Sequence, residues 1–425
     1  MVEMDWIGAT LTASRPRVVG ALLRYFRDLD TAEEAFQEAS LRALQNWPQK
    51  GPPRDPVAWL IFVGRNVSLD AIRRSRKQEE LPDEAQISDT GDAETSMADR
   101  LDDSHYRDDV LRLLFICCHP DLPANQQIAV ALRIVSGLSV REIARAFLVG
   151  ESAMEQRITR AKRRIAAAEV AYETPGPVER SERLATVAAM LYLLFNEGYS
   201  ASGGDAHIRV PLCEEAIRLG RLLLGLFPAE GEIMGLTALM MLQHARAPAR
   251  LDSEGAIVLL DDQDRRLWNR KLIAEGVVLV EKALRHRRPG AYQLQAAIAA
   301  VHCQAERPEA TDWAQIDVLY AMLEALQPSP VVTLNRAVAV SKLRGPEAAL
   351  RLIEPLEGPL SGYFHYYGVK GAFLTQVGRA AEARIAFDQA IALANTAAEA
   401  AHIRMHLDKL KKDSEPSPGG VGAAV

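Results

Sequence analysis

The sequence is poor in cysteine and has no long apolar run, and both absences narrow the class of protein. Four cysteines occur among 425 residues, and none of them shows C-x-x-C spacing. This pattern argues against a disulfide framework or a zinc module and favours a reducing compartment. No stretch of about 18 apolar residues occurs, as a transmembrane helix would require. The start MVEMDW is acidic where a signal peptide is basic, so we expect a cytoplasmic protein without a membrane segment.

Motifs for catalysis and for cofactor binding are also missing. The sequence has no glycine-rich phosphate loop and no G-x-S-x-G. His207, His244, Asp261, Asp262 and Asp264 are the best candidates for a metal or acid–base cluster, but their spacing matches no ligand motif. We therefore predict no enzyme, no cofactor and no metal site. The net charge of −6 argues against a general nucleic-acid coat, although a local basic face can still bind DNA.

What is present is helical periodicity. Apolar residues recur every three or four positions along most of the chain, which predicts an all-α fold. The stretch 78–109 differs, because it holds twelve acidic residues against two arginines, which is typical of a solvated linker. The predicted organisation, in chain order, is a helical block at 10–77 with a turn at 48–56, an acidic linker at 78–109, a second helical block at 110–172, a helical extension at 180–290, helical repeats at 291–412 and a disordered tail at 413–425.

The repeats are predicted from small and large residues at tetratricopeptide spacing. In residues 371–393, Gly371 lets two antiparallel helices approach closely while Phe387 fills the gap between them. The alternative is a set of plain helical hairpins. The equivalent small and large positions are Ala383 with Phe387, Ala349 with Ile353 at 34 residues before them, and Ile316 with Tyr320 at 33 residues before those.

The helix predicted over 57–77 carries a stripe suited to single-stranded DNA. Leu60, Val63, Val67 and Ala71 make one apolar face. A second stripe, less than about 90° wide, combines stacking aromatics, short polar groups for base edges and cations for phosphates. In the alternative interpretation the aromatics belong to the core and the cations to a solvated helix end. The stripe consists of Trp59, Phe62, Asn66, Asp70, Arg73 and Lys77.

Residues 138–165 have the spacing of a helix-turn-helix. Met154, Ile158, Ala161 and Ile165 are predicted to line the inner face of its second helix. The outer face holds residue types that bind purine edges or phosphates in a major groove, flanked by Arg157, Lys162 and Arg164. A helical hairpin with a basic solvent face is the alternative. The outer-face residues are Ser152, Gln156, Thr159, Arg160 and Arg163.

A third helix, predicted over 31–47, has one side suited to a protein partner. Phe36, Ala39, Ala43 and Trp47 line its apolar side. A leucine exposed among acidic groups on the other side indicates a protein partner rather than DNA. An ordinary amphipathic helix with one stray leucine explains the pattern equally well. This opposite side shows Glu34, Glu38, Leu41 and Gln45, with Arg42 alongside.

In this order and spacing, the three segments resemble the extracytoplasmic-function sigma factors. DTAEEAFQEASLRALQNWP resembles their region 2.1–2.2, which grips the β′ clamp of RNA polymerase. PVAWLIFVGRNVSLDAIRRSRK resembles region 2.3–2.4, which opens and reads the −10 element. LSVREIARAFLVGESAMEQRITRAKRRI resembles region 4.2, which reads the −35 element. The acidic stretch lies where the family has its linker, and the remainder resembles the subgroup with a tetratricopeptide-like C-terminal extension.

The resemblance implies partners and site residues. The partners are core RNA polymerase, through its β′ clamp and β flap, promoter DNA and, for the repeats, a possible protein partner. Glu34 stands where the family commonly has aspartate, which preserves the charge, and Ser40 stands where it has a bulkier residue, which slightly weakens the case for the clamp contact. The implied contacts are Asp30, Glu33, Glu34, Gln37, Glu38 and Leu41 for polymerase, Asn66 and Asp70 for an unpaired −10 base with Arg73 and Arg74 for phosphates, and Gln156, Thr159 and Arg160 for the −35 groove.

Two functions follow from these patterns. The first is a sigma factor that directs promoter-specific initiation and is regulated by its C-terminal domain. The second is a helix-turn-helix regulator that binds duplex DNA directly and uses the repeats for sensing or as a scaffold. The second accounts for the helix-turn-helix and the repeats, but it leaves the stripe at 59–77 and the acidic linker unexplained.

Overall fold

A computed structural model of the chain describes residues 5–76, 103–119, 121–147, 149–167, 177–199, 206–252, 258–394 and 397–414. Every regular element in these ranges is a helix, which confirms the predicted all-α fold. The chain divides into two compact units, Met1–Asn196 and Glu197–Val425, called here the N-terminal and C-terminal units. Lys77, most of the acidic linker and the end of the predicted tail lie outside the described residues.

The N-terminal unit contains both helical blocks that were predicted from the sequence. Its last helix crosses the boundary into the C-terminal unit. In chain order the helices are α1 (Asp5–Phe26), α2 (Leu29–Lys50), α3 (Pro56–Arg76), α4 (Asp103–Cys117), α5 (Ala124–Ile134), α6 (Val140–Ala146), α7 (Glu151–Ala167) and α8 (Pro177–Tyr199).

Helices α1, α2 and α3 pack against one another around a core of aliphatic side chains. The side chain of Asp28 caps α2 by accepting a hydrogen bond from the Thr31 backbone N–H at 2.7 Å. Helix α2 runs on through Pro48, so the predicted turn is shorter than the sequence indicated and begins after Lys50. The prediction that Phe36, Ala39, Ala43 and Trp47 form the buried side of α2 is confirmed.

Helix α4 packs along α1 and joins the two blocks into one unit. Their backbones come very close at Gly20, where a Cβ atom would lie 2.9 Å from the carbonyl oxygen of Asp109. A side chain at this position would force the helices apart. The Asp109 carboxylate is buried and accepts a hydrogen bond from Arg112 at 2.8 Å.

Helices α5, α6 and α7 build the helix-turn-helix. Ser139 and Glu142 form a capping box at the start of α6, in which each side chain satisfies the other residue's backbone N–H. The Ser139 side chain and backbone both donate to the Glu142 carboxylate, and these bonds lower the pKa of Glu142. The predicted inner face of α7 is confirmed, because Met154, Ile158, Ala161 and Ile165 are all buried.

The C-terminal unit is a succession of helices. Short 3-10 turns connect several of them. In chain order the helices are α9 (Ala206–Leu226), α10 (Gly231–His244), α11 (Arg270–Leu284), α12 (Ala291–Gln304), α13 (Trp313–Leu326), α14 (Pro330–Arg344), α15 (Pro346–Ile353), α16 (Phe364–Gln376), α17 (Ala380–Leu393) and α18 (Ala397–Ser414).

The last helices of this unit pack as sequential pairs. Helix α16 lies closely against α17, and a Cβ atom at Gly371 would meet the Phe387 ring at 2.5 Å. The predicted packing of Phe387 against Gly371 is therefore confirmed. Ala337 on α14 stands 34 residues before Gly371 and is equally buried. Ala349 and Ile353 belong to the core that α14, α15 and α16 share.

All four cysteines are buried and free of disulfides. Burial raises the pKa of Cys118 and of Cys213 to about 12. Among the described residues, no helix has both the length and the apolar character needed to cross a membrane.

Candidate functional site

The outer face of α7 is open to solvent. Gln156, Thr159, Arg160 and Arg163 are exposed, as is Ser152 one turn earlier, while Arg157 is half-buried at the edge. Along this face the Arg160 Nε atom donates a local hydrogen bond to the Gln156 carbonyl oxygen at 3.2 Å. The helix therefore presents polar and cationic side chains of the kind that read base edges, over an inner face that is fixed in the core.

The predicted stripe on α3 divides into a packed end and an open end. The Trp59 ring lies 5.3 Å from that of Trp47, which in turn stacks on Trp6. Trp59 and Phe62 are half-buried, whereas Asn66 is exposed. The backbone of α3 is helical at Asp70, Arg73 and Arg74. Lys77 lies outside the described residues.

The outer side of α2 exposes a leucine pair beside polar groups. Glu34 and Gln37 are exposed, and Glu38 forms an ion pair with Arg42 at 3.5 Å. Leu41 is 55% exposed, and Leu44, one turn further on, is 44% exposed. The sequence reasoning missed Leu44, although its position outside the buried stripe of Phe36, Ala39, Ala43 and Trp47 was a sufficient signal. Together these groups form an amphipathic surface suited to another protein.

In the first turns of α2, Asp30 and Glu33 form ion pairs with residues of other helices. Glu33 is only 4% exposed, and its Oε1 atom accepts a hydrogen bond from Arg15 Nη2 at 2.8 Å. Its Oε2 atom accepts one from Lys162 Nζ of α7 at 2.7 Å, and the same ammonium group lies 2.7 Å from Asp30 Oδ1. Asp30 and Glu33, two of the six predicted polymerase contacts, are thus paired with residues of α1 and α7. Lys162, predicted to flank the DNA-reading face, points to α2 in this form.

The charges of this cluster explain the protonation of Lys162. Burial alone would lower the pKa of Lys162, but the Glu33 and Asp30 carboxylates outweigh that effect and raise it. Burial lowers the pKa of Arg15, against the attraction of Glu33. Arg133 of α5 adds a third cation at 3.8 Å from Glu33.

Two of the acids considered for a metal site form ion pairs with basic residues, and the side chain of His207 lies outside the described residues. Asp261 pairs with Lys342 at 2.9 Å, and the side chain of Asp264 pairs with Arg266 at 2.8 Å. Hydrogen bonds from Arg266 lower the pKa of Asp264 to about 2. Burial lowers the pKa of His244. Within the described ranges, no three His, Cys, Asp or Glu side chains are placed to hold a metal ion.

Comparisons with known families identify both sigma segments. The family model of sigma-70 region 2 matches residues 11–78, and that of sigma-70 region 4 matches residues 112–165. A family of unknown function (DUF6596) matches residues 183–284. The chain belongs to the sigma-70 family, as a sigma factor of the extracytoplasmic-function type with a C-terminal extension.

A relative shares the whole arrangement. An uncharacterized protein of Rhizobium meliloti (strain 1021) is 66% identical over 410 residues, which cover 96% of this chain and 97% of the relative. No solved structure matches the chain. The region 2 match spans α1–α3 and the region 4 match spans the helix-turn-helix, which makes promoter recognition the role of these two segments.

Proposed function

We propose that the chain binds core RNA polymerase and directs it to promoters, with α3 at the −10 element, α7 at the −35 element and the C-terminal unit as a regulatory element. The observation that carries the proposal is the face of α7. Its exposed side combines Gln156, Thr159 and Arg160 within one turn, and its inner side is buried in the helix-turn-helix. Glutamine pairs with adenine and arginine with guanine in a major groove.

The polymerase contact is proposed for the open part of α2. Leu41 and Leu44 supply exposed apolar area, and Glu34, Gln37 and Glu38 supply polar groups in the preceding turns of the helix. Protein interfaces combine apolar area with polar groups. The −10 contact is proposed for Asn66 with Asp70, backed by Arg73 and Arg74, which follow on the same helix.

Regulation by the C-terminal unit is proposed because α8, where the match to DUF6596 begins, runs from the N-terminal unit into the C-terminal unit. Arg183 at the start of α8 is buried, and its guanidinium lies 4.5 Å from the centre of the Phe115 ring of α4. Both residues belong to the N-terminal unit. Helix α8 therefore continues from the N-terminal unit into the C-terminal unit. A stop after residue 172 would remove all of α8 and with it part of the N-terminal unit.

Transcription in vitro tests the sigma proposal directly. Full-length protein, purified core polymerase and a library with randomised −10 and −35 positions should give transcripts from a narrow promoter class, and either component alone should give none. Tight selection of the same sequences by the chain without polymerase would instead support a direct duplex-binding regulator.

A pair of truncations tests the regulatory proposal in cells. A stop after Tyr199 keeps α8, and a stop after residue 172 removes it. Altered promoter output with α8 retained would assign control to the C-terminal unit. Unchanged output from that truncation would contradict it.

A further inference from the structure

We propose that α7 and α2 hold each other through a charge clasp that closes the free protein and keeps α2 from core polymerase. The clasp consists of Arg15, Asp30, Glu33, Arg133 and Lys162. This inference rests on the proposed function, because the clasp would block the polymerase contact that is proposed for α2.

The clasp joins segments that are far apart in the chain. Lys162 reaches across 129 residues to Glu33 and also contacts Asp30. In the other direction, Arg15 of α1 donates from Nε to the Ile134 carbonyl oxygen at 2.8 Å and from Nη2 to that of Arg133 at 3.3 Å. These carbonyls end α5, where a cation is favoured by the helix dipole. Each sigma segment thus supplies a cation to the other.

The clasp competes with a polymerase contact because it uses the same groups. Asp30 and Glu33 belong to the set that the resemblance assigns to polymerase. As long as Lys162 holds them, both carboxylates are paired with a cation of α7. The close approach of α1 and α4 at Gly20 supports the same closed arrangement from a second side.

The charges of the clasp residues also indicate which kind of partner can open the clasp. A buried carboxylate that loses one of its cations is strongly disfavoured unless another replaces it. If Lys162 leaves, Arg15 remains with Glu33 and keeps it paired, whereas Asp30 loses its cation but is already largely exposed to solvent. A partner surface that supplies a cation near Asp30 and Glu33 can therefore exchange with α7 at little cost. We infer that the part of polymerase that meets the start of α2 is basic.

Zero-length cross-linking tests the closed form without any variant. A carbodiimide converts a carboxylate into an O-acylisourea. The Lys162 amine then attacks the acyl carbon, the urea leaves, and an amide bond forms without a spacer. Full-length free protein should yield a peptide containing Lys162 joined to one containing Asp30 or Glu33, detected by mass spectrometry. Lys162→Arg keeps the charge but lacks the reactive amine, so this product should vanish.

A second ion pair provides an internal standard. Lys342 and Asp261 lie 2.9 Å apart on the C-terminal unit, and each side chain is nearly half exposed. They should therefore cross-link in every sample. If that pair reacts in the wild-type chain while Lys162 does not, the clasp is absent in solution and the proposal is wrong.

Binding to core polymerase without DNA tests the consequence. Lys162→Glu places a third carboxylate beside Asp30 and Glu33, so it should open the clasp and raise the affinity for polymerase by roughly tenfold. Lys162→Arg should bind like the wild-type chain, and the cross-linked chain should bind at least tenfold more weakly. The cross-linked sample remains informative even where Lys162→Glu fails to fold.

The outcomes separate the two proposals. Equal polymerase affinity of cross-linked and free chain would overturn the inhibitory clasp and leave the sigma proposal standing. No polymerase binding by the wild-type, Lys162→Glu or Lys162→Arg chain would overturn both.

Discussion

Helices α2 and α7 are each proposed to bind a partner, but the side chains proposed for binding differ in their exposure to solvent. The outer face of α7 is exposed from Ser152 to Arg163. At the start of α2, by contrast, Glu33 is buried and Asp30, although exposed, is paired with Lys162. If the proposed roles are correct, the DNA-reading face is open in the isolated protein, whereas two of the proposed polymerase contacts are already paired.

The difference comes from where the charges lie relative to the core. Arg160, Arg163 and Arg164 of α7 are exposed, whereas Arg157 and Lys162 are half-buried, and Lys162 pairs with α2. On α2 the acidic residue Glu33 lies within the buried set, beside Ala32 and Phe36. Charge on a helix thus does not by itself define an accessible surface, and the following variants test the contrast.

The largest effect is expected for Glu33→Gln. It leaves the buried guanidinium of Arg15 facing a neutral amide, so the free energy of unfolding should fall by about 3–5 kcal/mol. Urea denaturation followed by tryptophan fluorescence measures this loss. Glu34→Gln, one residue further and exposed, should change it by less than about 0.5 kcal/mol. Equal effects of the two variants would refute the enclosure of Glu33.

Leu41→Asp tests the free part of α2. We expect the affinity for core polymerase to fall by about 2 kcal/mol or more, because an apolar anchor becomes a charge. The free energy of unfolding should stay unchanged, since the side chain is already exposed. The matched control is Leu343→Asp in the C-terminal unit, where a leucine is 43% exposed. An affinity loss of the same size in both variants would contradict the assignment.

Arg160→Ala tests the open face of α7. If Arg160 reads a base, the variant should lose about 1–3 kcal/mol of discrimination at one −35 base pair and tolerate substitutions there. Transcription from promoters changed one position at a time measures this. A uniform loss across all sequences would assign Arg160 to a phosphate instead.

The smallest effect is expected for Ser139→Ala at the start of the helix-turn-helix. Loss of the cap should cost about 1 kcal/mol at neutral pH. Because hydrogen bonds from Ser139 lower the pKa of Glu142 in the folded state, the stabilisation is present above the ordinary glutamate pKa of about 4.3 and is lost as pH falls through the lower folded value.

The pH dependence of this effect supplies its own check. The difference in unfolding free energy between wild type and Ser139→Ala should shrink as pH is lowered from 7 towards 3. Glu142→Gln removes the titrating carboxylate, so in that background the Ser139→Ala effect should be nearly independent of pH. A constant difference in the presence of Glu142 would rule out the capping box as its source.

Periodicity in the sequence was enough to predict the helices and their inner faces. Apolar spacing identified the buried sides of α2 and α7, and small-to-large spacing identified Gly371 against Phe387. These features are local, since each depends on residues within one helix or one hairpin. The family matches then confirmed the two sigma segments.

The clasp could not be predicted in this way, because ion pairs between Lys162 and residues near the chain start leave no periodic signal. Similarly, the pattern of α3 could not decide between a DNA stripe and a core. The structure shows that Trp59 packs on Trp47, which depends on the position of a different helix. The individual DNA and polymerase contacts stay predictions until the variants above are measured.

Because all four native cysteines are buried, they should react slowly with thiol reagents, which favours site-specific labelling at new cysteines. Only the thiolate form reacts, and burial raises the pKa of Cys118 and of Cys213 to about 12, which disfavours that form at pH 8. New cysteines at exposed positions such as Gln45 of α2 and Glu155 of α7 should take up maleimide dyes far sooner. Energy transfer between such dyes would follow the approach of α7 to α2 in real time, with no native cysteine removed.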